Sequence, residues 1–400
     1  MDTTHCPYRQ SSKIQQALAS DKMKIGFLLG AGCPLAVQVV DGSGHKPLIP
    51  DIVGLTKIVC GKLTEEPDHK PVLDCVCKRL GDSGVSTPNL EDLLSHIRAV
   101  AAVVGKGSLD GLTEDSLRAT DRRICGVIQE AVCQTLPSAG TPYHALANWI
   151  RGIPRRQPIE IFTTNYDLLM EQALEGSQVP YFDGFSGSNR TFFDLASIEQ
   201  DGLPPRWARV WKLHGSINWR QGADSRVSRG EHIKDDERLL IHPSHLKYDD
   251  SRRMPYLAML DRLRTFLSSG QAVLITCGYS FSDDHLNDVM LQALAGNANA
   301  IGFALLYGKR SAYVKAARAG HVCPNLVILA FDGAVIGTRE GAWGAEIDLE
   351  HPLNGIAVTE EKSPSASAGP PEVLRFRLGD FARLGAFLLR ELGSPGAEES

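Results

Sequence analysis

The chain has 400 residues, 43% apolar and 22% charged, which suits one large α/β core with an insertion and neither a disordered nor a fibrous protein. Its 42 basic and 47 acidic residues leave a net charge of −5, so nothing draws it generally to nucleic acid or to an anionic membrane, and binding to neither is expected. The longest apolar run, Ala300 to Gly308, falls well short of the roughly 18 residues of a spanning helix. Met1 to Cys6 lacks the basic-then-apolar layout of a secretory signal, so a cytoplasmic location is expected.

In chain order, residues 1–22 hold a short amphipathic helix with Ile14, Ala17 and Leu18 on its apolar side. Ile25 to Leu29 is a continuous apolar run of the kind a buried parallel strand needs, and it ends in Gly30-Ala31-Gly32. Pro34 to Pro50 is too punctuated by Pro and Gly to stay helix or strand for long. From Leu55 to Arg151 the pattern is helical. Asn89 caps one helix with acids in its first turn, and a longer one runs from Glu114 to Thr135 with Leu117, Ile124, Val127, Ile128 and Val132 on one side. Strands are expected at Ile159–Thr163, Arg209–Leu213, Leu239–Ile241, Ala272–Thr276, Ile301–Leu306 and Leu326–Leu329. Helices are expected at Tyr256–Leu267, His285–Leu294 and Ser311–Ala319. Short apolar strands alternating with helices predict a Rossmann-like, doubly wound parallel sheet. Lys362 to Pro371 reads as a linker, Asp380 to Glu391 as a last amphipathic helix, and the final residues as disordered. The expected division is a core at 1–54 and 152–335, a helical insertion at 55–151, and a linker with its terminal helix at 336–400.

The nine cysteines are scattered and form no Cys-x-x-Cys unit, the closest pair being Cys75 and Cys77. His242 and His245 lack a third ligand nearby. No metal is expected.

Four strand ends carry polar or glycine-rich motifs. Gly30-Ala31-Gly32 would let a backbone approach a pyrophosphate. A third glycine of the dehydrogenase fingerprint is absent, Leu35 standing there, but Asp51 falls roughly 20 positions after Gly30. Two turn glycines without a ligand explain the same residues. Thr163-Thr164-Asn165-Tyr166-Asp167 leads from a strand into a helix; its polar groups would face the crevice at the strand ends, or simply cap the helix. Trp211-Lys212-Leu213-His214-Gly215-Ser216 puts a histidine at a strand edge, where it suits a general base or a structural hydrogen bond. Thr276-Cys277-Gly278-Tyr279-Ser280-Phe281-Ser282-Asp283-Asp284-His285 links a strand to a helix and could hold another part of a nucleotide.

Together these motifs resemble the sirtuin superfamily over residues 23–335. Gly30-Ala31-Gly32 with Ile49-Pro50-Asp51 is similar to its phosphate loop and following Ile-Pro-Asp. Asn165-Tyr166-Asp167 is similar to its Asn-Ile-Asp, His214-Gly215 to its His-Gly, and Gly278-Tyr279-Ser280 to its Gly-Thr-Ser. The resemblance implies NAD as ligand, with Gly30, Ala31 and Gly32 near the phosphates and Asp51 and Asp167 near the nicotinamide carboxamide. It sets Asn165 and His214 at the adjoining ribose, and Thr164, Gly278, Tyr279 and Ser280 along the cofactor. Deacylase sirtuins carry a four-cysteine zinc ribbon after the histidine, and no cysteine lies between His214 and Cys277 here. The Thr-Thr-Asn-Tyr-Asp, Lys-Leu-His-Gly-Ser-Ile-Asn-Trp and Gly-Tyr-Ser-Phe-Ser-Asp runs are instead similar to sirtuin-like NADases of bacterial antiphage defence. The resemblance then implies cleavage of the nicotinamide N-glycosidic bond, with Asp167 on the carboxamide, Asn165 on the ribose or water, and His214 as base. It also implies a homo-oligomer and, for a chain of this size, association with a HerA-like ATPase. An NAD-dependent protein deacylase and a non-catalytic NAD or ADP-ribose sensor are the alternatives.

Overall fold

The structure is a computed structural model. It describes residues 4–42, 44–200, 202–222, 224, 226–230, 238–241, 254–344, 350–362 and 372–393. Ten strands form its central sheet: β1 (Thr4–His5), β2 (Lys24–Leu29), β3 (Ile159–Thr163), β4 (Tyr181–Phe182), β5 (Ala208–Lys212), β6 (Ala272–Cys277), β7 (Ala300–Leu305), β8 (Leu326–Ala330), β9 (Gly333–Ile336) and β10 (Arg339–Trp343). Their spatial order is β1-β10-β9-β8-β7-β6-β2-β3-β5-β4. The block from β8 to β4 is parallel throughout, whereas β8, β9 and β10 pair antiparallel.

Why the parallel strands read as unbroken apolar runs is plain from their packing, since both faces are covered. Ile25, Phe27 and Leu29 point into one core with Ile161, Val273 and Ile275. Their neighbour Leu28 points into a second core with Phe162, Leu274 and Trp211. Tyr256–Ser268, Asp284–Ala295 and Val314–Val322 cover the second face, contributing Met259, Met290 and Ala316. Pro7–Ala19, Pro142–Gly152 and Phe381–Glu391 cover the first. This is the doubly wound α/β architecture expected from the alternation of elements.

The helical block comprises Ile52–Glu65, Lys70–Asp82, Leu90–Val104 and Glu114–Val132. Asn89 does cap the third, accepting from the N–H groups of Glu91 at 2.8 Å and Asp92 at 3.1 Å. The Asp92 carboxylate accepts in return from the Asn89 N–H, a complete capping box. Pro142–Gly152, which the sequence groups with this block, packs on the sheet core instead. Trp149 meets Phe27 edge-on at 5.6 Å, and Tyr143 meets Phe381 of the terminal helix at 5.0 Å.

Several expectations are corrected. Arg238–Ile241 lies outside the main sheet, pairing antiparallel with Gly215–Gln221 in a separate three-stranded sheet. An apolar run of this length specifies a strand but not its partner. The main sheet also continues past residue 335, because β9 and β10 extend it as an antiparallel hairpin. Val358–Lys362 and Glu372–Phe376 pair antiparallel on either side of the expected linker. Residues 363–371, His242 with His245, and the expected disordered end at 394–400 lie outside the described residues. Pro34 to Pro50 holds a short helix, Gly32–Leu35, and the hairpin Gln38–Asp41 with Gly44–Pro47.

Candidate active site

The last residues of four adjacent strands lie in one row: Cys277 opposite Leu29, Leu29 opposite Thr163, and Thr163 opposite Lys212. The loops that follow therefore begin at one level. The chain winds from β2 to β3 on one side and later returns to β6 on the other. That reversal of direction is where open α/β sheets bind ligands. A cavity of about 840 Å³ opens there, within the roughly 300–1,000 Å³ of ligand clefts. Its wall includes Ala31, Gly32, Asp51, Thr164, Asn165, Asp167, His214, Gly278, Tyr279 and Ser280. All the residues that the resemblance sets at the ligand thus border one space except Gly30, which is buried and not part of the wall.

Asn165 is fixed by the strand end beneath it. Thr163 Oγ1 donates to the Leu29 carbonyl at 2.9 Å and accepts from the Asn165 N–H at 3.1 Å. The Asn165 side-chain amide donates to the Gly30 carbonyl at 3.1 Å. Among the described residues nothing donates to the amide oxygen, which can address a ligand hydroxyl or water. The alternative of a simple cap fails for Asn165 and holds for Asp167, whose Oδ1 accepts from the Leu169 N–H at 3.0 Å. Burial pushes the Asp167 carboxyl above its ordinary range, against the pull of Lys212 and the Leu169 N–H. Lys212 is itself buried, 3.0 Å from Glu171 and bonded to the Asp167 carbonyl. Its charge is thereby committed beneath the cavity.

His214 follows β5, held at that level by the Leu213 N–H donating to the Thr163 carbonyl at 2.8 Å. Gly215, at φ +88°, turns the chain away immediately afterwards, a conformation costly for any residue with a Cβ. The imidazole Nε2 lies 2.9 Å from Asp283 Oδ2. Asp283 belongs to the Gly278–Asp283 loop and was not singled out in the sequence. It also caps the helix that follows, because its Oδ1 accepts from the Leu286 N–H at 3.1 Å.

The glycine loop corrects a physical expectation. The Gly30 and Gly32 N–H groups donate to the carbonyls of Cys277 and Gly278, each at 2.9 Å, and the Cys33 N–H donates to the Gly30 carbonyl at 3.0 Å. These donors are committed within the protein, so Gly30 and Gly32 do not present them to a phosphate. What requires glycine is loop-to-loop contact: a Cβ on Gly30 would lie 2.3 Å from the Gly278 oxygen, and one on Gly32 would lie 2.8 Å from the Gly278 Cα. Tyr279 is also reassigned in part. Although it borders the cavity, its hydroxyl donates to Asn287 Oδ1 at 2.8 Å, bracing the loop. Ser280 is exposed, and Asp51 caps Ile52–Glu65 through the Gly54 N–H at 2.8 Å.

Part of the remaining wall comes from segments the motifs did not mark. Glu91 and Val132 enter from the helical block, Tyr307 and Tyr313 from beyond β7, and Asp380 and Phe381 from the terminal helix. Only the fold brings these to the cavity, and none has a local pattern that could have found it. Among the described residues no group of three or more His, Cys, Asp or Glu side chains converges as metal ligands do. No described helix is long and apolar enough to cross a membrane.

Residues 159–321 match the family model described as a SIR2-like domain. That span holds Asn165, Asp167, His214 and the Gly278–Asp283 loop, and leaves out β2, the glycine loop and the helical block. A solved structure from work on the mechanism and regulation of Sir2 enzymes is 12% identical, covering 74% of this chain and 84% of its own, with a TM-score of 0.34. No curated protein matches the chain.

Proposed function

We propose that the protein is an NAD+ hydrolase, cleaving the nicotinamide N-glycosidic bond to nicotinamide and ADP-ribose. The observation that carries this reading is the shared cavity wall of Asn165, Asp167 and His214, beside a segment similar to a SIR2-like domain, the family whose known members use NAD. The cavity's size and mixed lining suit a dinucleotide.

Nicotinamide departs from the sugar as a neutral ring, so the site needs no acid for the leaving group. Its tasks are to hold that ring, to favour positive charge on the ribose and to deliver water. Asp167 takes the carboxamide. Its Oδ1 is occupied by the Leu169 N–H, so Oδ2 is the oxygen turned to this use. Burial favours its protonated form, and a protonated carboxyl can donate to the amide carbonyl as well as accept from its N–H. Asn165 addresses the ribose hydroxyl or the attacking water through its free amide oxygen. His214 takes the proton from that water or hydroxyl.

The motif resemblance supports a role in depleting NAD during antiphage defence. Uncontrolled activity would consume the host's own NAD, so we place the enzyme under control of an oligomer, with a HerA-like ATPase as the proposed partner. The mass of the native particle by size exclusion with light scattering, alone and with such an ATPase, tests this. A monomer unchanged by the ATPase would contradict it.

The activity itself is tested by incubating the protein with NAD and following free nicotinamide, with and without an acetylated peptide. Hydrolysis predicts equal release in both. Release only with peptide would mean a deacylase, and binding without release would mean a sensor.

A further inference from the structure

We propose that Asp283 is the positioning residue that fixes the tautomer of His214, so that Nδ1 is the nitrogen that accepts the proton. The proposal rests on the hydrolase reading for its consequence in turnover, but its structural part stands on the geometry alone. A carboxylate oxygen only accepts hydrogen bonds, so the 2.9 Å contact between Asp283 Oδ2 and His214 Nε2 requires the proton on Nε2. In the neutral ring this leaves Nδ1 with the lone pair.

The loop carrying Asp283 is built to hold it. Phe281 sits fully buried at φ +60°, a conformation that costs a bulky residue energy and persists only when its surroundings enforce it. Here they do: the Asn287 side-chain amide donates to the Phe281 carbonyl at 2.8 Å and accepts from the Tyr279 hydroxyl at 2.8 Å. The Asp283 carbonyl lies 3.3 Å from the same hydroxyl. One carboxylate oxygen is then tied to the helix start at the Leu286 N–H and the other faces the imidazole. A helix cap needs only the first of these contacts. The arrangement has the logic of a base held in place by an orienting carboxylate.

Asp283→Asn separates the two roles. Its carbonyl oxygen can keep the cap, while the nitrogen that replaces Oδ2 is a donor and favours a ring with the proton moved to Nδ1. Asp283→Ser also keeps a capping oxygen but removes the contact with the ring. Long-range ¹H–¹⁵N correlation on ¹⁵N-histidine-labelled protein reads the tautomer, with the His214 signals assigned by their loss in His214→Gln. The expected result is Nε2–H in the parent chain and a shift to Nδ1–H in Asp283→Asn, with thermal unfolding of both variants near the parent midpoint. NAD turnover should fall roughly 10²–10⁴-fold in kcat, with KM little changed. Parent-like tautomer in Asp283→Asn, or parent-like kcat despite a changed tautomer, would overturn the proposal. If the parent chain does not cleave NAD, the hydrolase reading fails, while the nitrogen signals still decide whether Asp283 sets the ring.

Discussion

Asp167, the residue proposed to hold the carboxamide, opposes the stability of the fold around it. Burial raises its pKa, and the attraction of Lys212 and of the Leu169 and Asp167 backbone N–H groups does not fully compensate. A carboxyl with a raised folded pKa costs stability when ionised, above that pKa. The cost vanishes as pH falls through it towards the unfolded value of 3.8. Asp167→Asn, which can still accept from the Leu169 N–H, should therefore melt no lower than the parent near neutral pH. Its advantage should shrink to nothing as the buffer is acidified into that window, while NAD cleavage is lost. Thermal melts of both proteins across pH check this, and an Asn variant that is less stable at neutral pH would contradict it. At this scale much of the site could be read from the chain, because Asn165, Asp167 and His214 each sit in a short motif next to an apolar strand. Asp283 could not, since its local pattern is fully explained as a cap and its second partner lies 69 residues away.

Among the elements, the two loops after β2 and β6 act as one unit. Gly278 has φ +66°, and a Cβ there would meet the Cys33 nitrogen at 2.6 Å. Gly278→Ala must then shift backbone rather than a flexible side chain. It should cost on the order of 1–3 kcal/mol, seen as a lower urea midpoint, and should impair catalysis by moving the Asp283 loop. A midpoint unchanged from the parent would mean the loops have room that this packing denies. The glycines were legible as a signal, but their meaning was not, because a pattern of glycines reports close approach without saying what approaches. The buried parallel strands were legible for a physical reason, being apolar on both faces. The short antiparallel strands Gly333–Ile336 and Arg339–Trp343 lie towards the sheet's periphery; the first offers only three apolar residues after its glycine and the second mixes glycine with charge, so no long run marks them.

For the whole molecule, the cavity is a joint product of segments far apart in sequence. The SIR2-like span provides Asn165, His214 and Asp283, but β2 lies in the sheet between β3 and β6, both within that span. The helical block is bound to the site as well as to itself, with Gln129 donating to the Ile217 carbonyl at 3.1 Å, just beyond His214. Glu91 and Val132 border the same cavity. An assembly partner that moved these helices would reach the site directly, which is the physical basis for expecting control through association. Cleavage of the nicotinamide–ribose bond in this cavity is the central proposal. The measurement that tests it most directly is nicotinamide release from NAD by the parent chain beside folded His214→Ala and Asn165→Ala. Steady release by the parent is expected, with a fall of roughly 10²-fold or more in each variant. Release by either variant at the parent rate, or none by the parent alone or with its proposed partner, would contradict it.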